Sequence, residues 1–496
     1  MRAHVNFNVM IPLFAPVMRD LQERYGLQSY SGFVYGRDGR ADMKECGLET
    51  SGVRVFSEFL EQFGEREAAD MDYLRQKERE YGTPTLYTLI ASCRFLSTFE
   101  HGRALRLLEA GFRLIEATYD DVRPDFVLSD GVGCTMSYIQ YVVAQRRGIP
   151  FLAVSSARIT NRFYISRSAI DKYERMEALF AQYKRQGLPA DRRAHAERFL
   201  GEFRATKAKP QYYVQYTNPP ALNLHALREL GRLVHRYYIH DRRNYILMSP
   251  WQAMRGRVVR LVKARLLDPR YFDEPRDGER SIFFPLHYQP EASTLIWAPF
   301  HVDQVAAIEN IAKTLPIDHV LYVKEHKGSL GRRPFGYYKR LRQIPNVRLI
   351  TPYWDSHDLI RRASAVCVLT STVGWEAIMY EKPVIALGDA FFNAYDHVAR
   401  IRSYEDLAAA FHEAVTAYQP DRELLLTFIA ANLEGTYEGN ADYLPGMTSR
   451  AVDRARITPI TDALAAELAI SPRQAVSAQE ADGVSARYSA VEASRR

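Results

Sequence analysis

At 496 residues, with 47% apolar and 25% charged side chains, the chain has an ordinary globular composition and the length for roughly two to four domains. Its net charge of +7 favours anionic partners such as nucleotide phosphates, acidic glycans or a phospholipid surface, and no helix-turn-helix, zinc-finger or aromatic RNP-type pattern speaks for nucleic acid. Cys46, Cys93, Cys134 and Cys367 lack metal-type spacing and predict free thiols in a reducing cytoplasm, while neither a signal-peptide pattern nor an apolar run of about 18 residues is seen.

VNFNVMIPLF reads as the first strand, APVMRDLQERYG as the helix after it and GFVYG as a second short strand. Residues 57–118 predict helices with long charged faces. PDFVLSDG (124–131) predicts a strand ending in a turn, MSYIQYVVAQRRG a helix, and PFLAVSSAR a further strand. Strands alternating with helices of this length predict an α/β fold with a parallel, doubly wound sheet. In such a sheet the ligand crevice lies beyond the carboxyl ends of the strands. Asp130 stands at one of those ends and Arg158 at another.

Residues 161–279 differ in character, being rich in arginine and tyrosine, as in RLVHRYYIHDRRNY and QAMRGRVVRLVKARLLDPRYF. In the second stretch Met254, Val258, Leu261, Val262 and Leu266 share one helical face, with Arg257, Arg260 and Lys263 largely opposite. Two readings stand side by side: a surface helix that packs its apolar stripe on its own protein, or a basic amphipathic helix in peripheral contact with an anionic membrane.

A second αβ region opens at Ser281. SIFFPLHYQPE predicts a strand and polar turn, HVDQVAAIENIAKTLP a helix, HVLYVKEHKG a strand, YYKRLRQIP a helix, VRLITP a strand and DSHDLIRRAS a short helix. The strand 365–369 then runs into TSTVGWEA, a hydroxyl-rich turn opening a helix, and KPVIALG reads as the next buried strand. SYEDLAAAFHEAVTAY starts with a Ser–x–x–Asp cap pattern. The expected domains are 1–160, a basic helical middle 161–279, 280–440, a helical segment 441–470, and a tail 471–496 whose small polar residues predict disorder.

Three strand ends in this second region carry chemistry. FFPLHYQPEAST supplies His287, Gln289 and Glu291, suited to proton transfer or to holding a hydroxyl. KEHKG supplies Lys324, His326 and Lys327, two cations and an imidazole suited to a diphosphate or a phosphorylated leaving group. TSTVGWEA places Ser371, Thr372 and Gly374 at a helix N-terminus, where backbone N–H groups receive an anion, and Glu376 within reach of a sugar or ribose hydroxyl. A polar loop, a solvated charged loop and ordinary helix capping explain each motif alone, but not their recurrence in order at successive strand ends.

In order and spacing, FFPLHYQPEAST, KEHKG, DSHDLIRRASAVCVLTSTVGWEA and KPVIALGDAFF resemble the bacterial capsular polysaccharide biosynthesis family, over about residues 281–396. Its characterised members are Kdo glycosyltransferases of GT-B fold. The resemblance implies two Rossmann-like domains facing a cleft, a cytoplasmic enzyme, and a nucleotide sugar held mainly by the C-terminal domain; the membrane reading of the basic middle would place it at the inner face of the cytoplasmic membrane. It implies no cofactor and no metal. Lys324 and His326, with Ser371 and Thr372, would contact the donor phosphates, Gly374 would belong to the same nucleotide-sugar site, and Glu376 would bind the ribose. Lys327 replaces the family's proline in its Lys-x-His-Pro motif. His287 and Glu291 would orient the donor or serve in acid–base steps, and Asp130 would be nucleophile or base, its alternative being a turn-forming Asp–Gly. Arg158 and Arg162 would receive an anionic donor or acceptor. The sugar is Kdo or another, carried on CMP or UDP, and the acceptor a glycan or glycolipid. Two rivals are a nucleotide-sugar 2-epimerase on the same fold and a non-catalytic glycan-binding or scaffold protein.

Overall fold

The computed structural model describes residues 1–64, 68–81, 85–207, 224–241, 244–267, 269–334, 336–442 and 452–471. Its strands are β1 (Arg2–Asn6), β2 (Ser29–Val34), β3 (Val53–Val55), β4 (Phe126–Ser129), β5 (Phe151–Ser156), β6 (Arg162–Ser166), β7 (Ser281–Pro285), β8 (Val320–Lys324), β9 (Val347–Ile350), β10 (Ala365–Val368), β11 (Val384–Ala386), β12 (Val398–Arg400) and β13 (Tyr437–Glu438). They sort into a seven-stranded sheet, order β13-β6-β5-β4-β1-β2-β3, and a six-stranded sheet, order β12-β11-β10-β7-β8-β9. Every pairing in the second sheet is parallel. In the first sheet only β6 runs against its neighbours, β5 and β13. Counted from its own first strand, each sheet has the Rossmann order 3-2-1-4-5-6. The molecule is thus α/β and GT-B-like, with two Rossmann-like sheets.

Strands β4, β7 and β10 are buried at every residue, as strands covered by helices on both faces must be. Strand β1 is shorter than its apolar run suggests. Pro12 occupies the first turn of helix α1 (Ile11–Tyr25), where its missing N–H costs nothing, so IPLF belongs to the helix. Helix α2 (His101–Val122) is capped by the Glu100 carboxylate, which accepts from the N–H groups of Gly102 and Arg103. Helix α3 (Thr135–Arg146) comes after β4.

Residues 161–279 divide among several neighbours rather than forming one middle unit. Strand β6 extends the first sheet past residue 160. Helices α4 (Glu174–Gln186) and α5 (Ala190–Thr206) carry Met176, Phe180, Leu200 and Phe203 into the core beside the second sheet, with Trp375 and Phe391. Ion pairs Lys184–Asp396 (2.6 Å) and Arg204–Glu381 (2.8 Å) secure them there. Helix α6 (Pro250–Leu266) lies on the loop after β8. Beyond α7 (Thr372–Met379), helix α8 (Arg422–Gly435) packs against α4 and α5. Gly435 in α8 crosses Met176 so closely that a Cβ would stand 2.5 Å from its Cα. The chain then returns to the first sheet through β13 and α9 (Arg454–Glu467), whose Ile460 and Leu464 join Leu13, Phe14 and Val17 of α1. The expected disordered tail lies outside the described residues beyond 471. Among the described residues no helix is long and apolar enough to cross a membrane.

Candidate active site

The order of the second sheet reverses between β7 and β10, and the loops after these strands meet at that reversal. Thr370, just past β10, donates its N–H to His287 Nε2 (3.3 Å) and its Oγ1–H to the Ser293 carbonyl (2.8 Å). His287 is further pinned through its backbone. Its N–H donates to Gln304 Oε1 (2.7 Å), and its carbonyl accepts from Gln304 Nε2 (3.3 Å) and Arg333 Nη2 (2.8 Å). Burial, then the charges of His326 and Arg333, push its pKa down to about 3. His287 is therefore a neutral acceptor that holds the turn before α7, not a proton carrier near neutral pH.

Lys324 ends β8. Glu325, fully buried, anchors the loop after that strand. It accepts from Arg333 Nε and Nη2 (both 3.1 Å), from Tyr338 Oη (2.8 Å) and from the His326 N–H (2.6 Å). A buried carboxylate needs such partners, because an unpaired one costs several kcal/mol. His326 Nδ1 accepts from the Gly328 N–H (3.1 Å), so the ring's proton is carried on Nε2. Its ring meets that of Tyr288 edge-on at 5.7 Å. Ser371 caps α7, its Oγ accepting from the Val373 N–H (3.3 Å), so Thr372 opens the helix at its positive end. Gly374 is required by close approach, since a Cβ would stand 2.6 Å from the Phe392 ring. Glu376 is buried in α7, with Oε2 3.9 Å from His357 Nε2.

The first sheet contributes one wall of a cleft of about 340 Å³, whose lining includes none of Lys324, His326, Ser371, Thr372 or Glu376. Asp130, Ser155, Arg158 and Tyr164 line it from the first sheet, and Ala292 and Trp297 from the segment after β7. Trp297 ties the two sides together by donating Nε1–H to the Ala169 carbonyl (3.3 Å). Asp171 holds both Arg158 (Nη2–Oδ2 3.5 Å) and the Tyr164 hydroxyl (2.9 Å), and the Arg158 guanidinium lies 5.9 Å from the Trp297 ring centroid. Burial pushes Asp130 up to about 6. Glu291, beside Ala292, is pushed up to about 7 by burial, with Arg94 and Arg158 opposing. Burial thus holds both carboxyl groups above the ordinary carboxylate range, the direction that acid–base chemistry near neutrality requires, and of the two Glu291 also feels Arg94 and Arg158.

Arg162 does not join Arg158. Its guanidinium is spent on the returning chain, donating to Thr436 Oγ1 (2.8 Å), the Thr436 carbonyl (2.7 Å), the Leu433 carbonyl and Glu438 Oε1 (3.2 Å), beside a separate cavity lined by Arg192 and His195. Arg333, Gln304, Asp171 and Trp297 contribute to the site without any signal in the sequence. Each sits in a loop or at a helix start without periodicity, and acts across the fold. Among the described residues, no three His, Cys, Asp or Glu side chains group as metal ligands would.

Residues 237–433 match the capsule polysaccharide biosynthesis protein family, a span that contains all three strand-end motifs and also α6. Protein FixF of Sinorhizobium fredii (strain NBRC 101917 / NGR234) is 29% identical over 155 residues, 30% of this chain and 36% of that protein. The chain therefore matches about a third of the length of that curated relative. Among solved structures, the beta Kdo 2,4 transferase KpsC of Thermosulfurimonas dismutans overlaps 64% of this chain and 82% of its own at 15% identity and a TM-score of 0.35. A UDP-GlcNAc 2-epimerase from Neisseria meningitidis overlaps 88% and 98% at 12% identity and a TM-score of 0.28. The resemblance carried by the three motifs is thus to a capsular polysaccharide biosynthesis family.

Proposed function

We propose that the chain is a metal-independent GT-B glycosyltransferase of surface-polysaccharide assembly. It moves a sugar, Kdo or another, from a CMP- or UDP-linked donor to a glycan or glycolipid acceptor. The supporting observation is that the loops after β7, β8 and β10 are hydrogen-bonded together, and that the segment after β7 shares a cleft with Asp130 and Arg158. In this reading Lys324, His326 and the α7 N-terminus with Ser371 and Thr372 face the donor phosphates, and Glu376 faces the ribose. The bond between the anomeric carbon and the phosphate oxygen breaks, with its electron pair leaving on phosphate, where those groups stabilise it. An acceptor hydroxyl bonds the same carbon, and its proton passes to a carboxylate, Asp130 or Glu291. Arg158 receives an anionic group of the donor or acceptor. His287 positions the turn rather than transferring a proton.

The test is product analysis with CMP-Kdo and UDP-sugars, each with and without a capsular oligosaccharide. The reading expects a lengthened glycan and free nucleotide only when acceptor is present. A new nucleotide sugar formed without acceptor would instead make the protein an epimerase, and no turnover with any donor would make it a binding protein.

A further inference from the structure

Helix α6 turns its apolar residues away from the protein. Trp251, Met254, Val258, Val262 and Leu266 are 69%, 42%, 48%, 48% and 70% exposed. Their spacing puts them on one arc of the helix, together with the exposed Arg255 and Arg265. The other side is attached through polar groups. Arg260 donates from Nε to the Leu330 carbonyl (3.2 Å) and from Nη2 to the Gly328 carbonyl (2.9 Å), and Lys263 Nζ donates to the Arg333 carbonyl (3.3 Å). Gly331, with φ +75°, lies against the helix backbone at the Arg260 carbonyl. The apolar stripe therefore does not pack on its own protein, and the exposure is local: ten of the sixteen exposed large apolar side chains among the described residues lie between Val234 and Leu266.

We propose that this face docks on an anionic phospholipid bilayer. Its chemistry selects that occupant. The helix carries Arg255, Arg257, Arg260, Lys263 and Arg265 and no acidic residue, so a second copy of the same face would meet like charge. A tryptophan and aliphatic residues flanked by arginines match the interfacial zone of a membrane whose headgroups are negative. The docked side is also coupled to the candidate donor site. Arg260 bonds the Gly328 carbonyl, and the Gly328 N–H bonds His326. Where the transferase reading holds, docking sets the cleft beside a lipid-linked acceptor. Vesicle binding itself needs no nucleotide, so the two readings fail separately.

Full-length protein is pelleted with sucrose-loaded vesicles of phosphatidylcholine, alone or with roughly one third phosphatidylglycerol. Binding at least about tenfold stronger to the anionic vesicles is expected, weakening in high salt. The pair Val258→Glu with Val262→Glu, and separately Arg255→Glu with Arg265→Glu, should each lower binding about tenfold or more without changing the melting temperature, since these side chains point to solvent. A wild type that stays in the supernatant with both vesicle types overturns the proposal, as does equal binding by the variants. A concentration-dependent dimer abolished by Val258→Glu with Val262→Glu, without vesicle binding, assigns the face to a second copy instead.

Discussion

At the carboxyl end of the second sheet, His287, Glu325, Arg333, Gln304 and Thr370 are all buried and hydrogen-bonded to one another or to the turns beside them. At the corresponding end of the first sheet, Asp130 is followed by Gly131 and Gly133, the Ser155 hydroxyl donates to its carbonyl (2.8 Å), and Arg158 rests on Asp171. The strand order is the same, so the topology supplies a crevice to both. The side chains then make one rim rigid and leave the other open. A fixed rim suits a ligand part that never varies, such as a nucleotide diphosphate or monophosphate. An open rim of small residues with one arginine suits a larger and more variable partner.

The contrast is sharpest when its keystone is removed. Arg333→Met leaves Glu325 buried without its cation, and should cost about 3–5 kcal/mol in urea unfolding. Replacing both members, Arg333→Met with Glu325→Leu, should recover much of that loss. His326→Ala should lower turnover about 10²–10³-fold, equivalent to roughly 3–4 kcal/mol, while the urea midpoint barely moves, because under the proposed function the ring would act on the leaving group more than on the core. Gly374→Ala forces a methyl against the Phe392 ring and should cost about 1–3 kcal/mol. On the open rim, Ser155→Ala removes the hydroxyl that bonds the Asp130 carbonyl and Tyr164, and should cost about 1 kcal/mol. If Ser155→Ala proved as damaging as Arg333→Met, the distinction between the rims would collapse.

A pH series separates the carboxyl groups. Glu291 has a folded pKa raised by burial, so the folded state binds its proton more readily than the unfolded chain. Its contribution to stability is full below the ordinary glutamate range and is lost as pH rises through about 7. Glu291→Gln should therefore raise the melting temperature relative to wild type at pH 8 and leave it nearly unchanged at pH 4.5 or below. An equal shift at both pH values would show that Glu291 is not buried as its surroundings imply.

The strand-end motifs were legible because each is local: a buried apolar strand stops, and polar residues with known uses come within a few positions. The doubly wound class was legible for the same reason, from strands such as PDFVLSDG and helices such as MSYIQYVVAQRRG. What escaped depends on distant contacts. Arg333 reaches back to His287 across 46 residues, and Arg158 is set by an aspartate and a tryptophan from two other segments. Strand β13 and helix α9 return to the first sheet from the far end of the chain, which no local period reveals. Helix α6 shows a further limit. Its sequence displays two faces, but only carbonyl oxygens of the loop 328–333 decide that the basic one turns inward.

The central claim is that the rigid rim of the second sheet is a nucleotide site. Thermal shifts with CMP, CDP, UDP, GDP and ADP, on wild type and His326→Ala, test it most directly. A ligand at a hundred times its dissociation constant adds about 2.7 kcal/mol to the folded state. The account predicts a rise of several degrees with CMP or UDP that is lost or much reduced in His326→Ala. No shift with any nucleotide, or an equal shift in the variant, would contradict it.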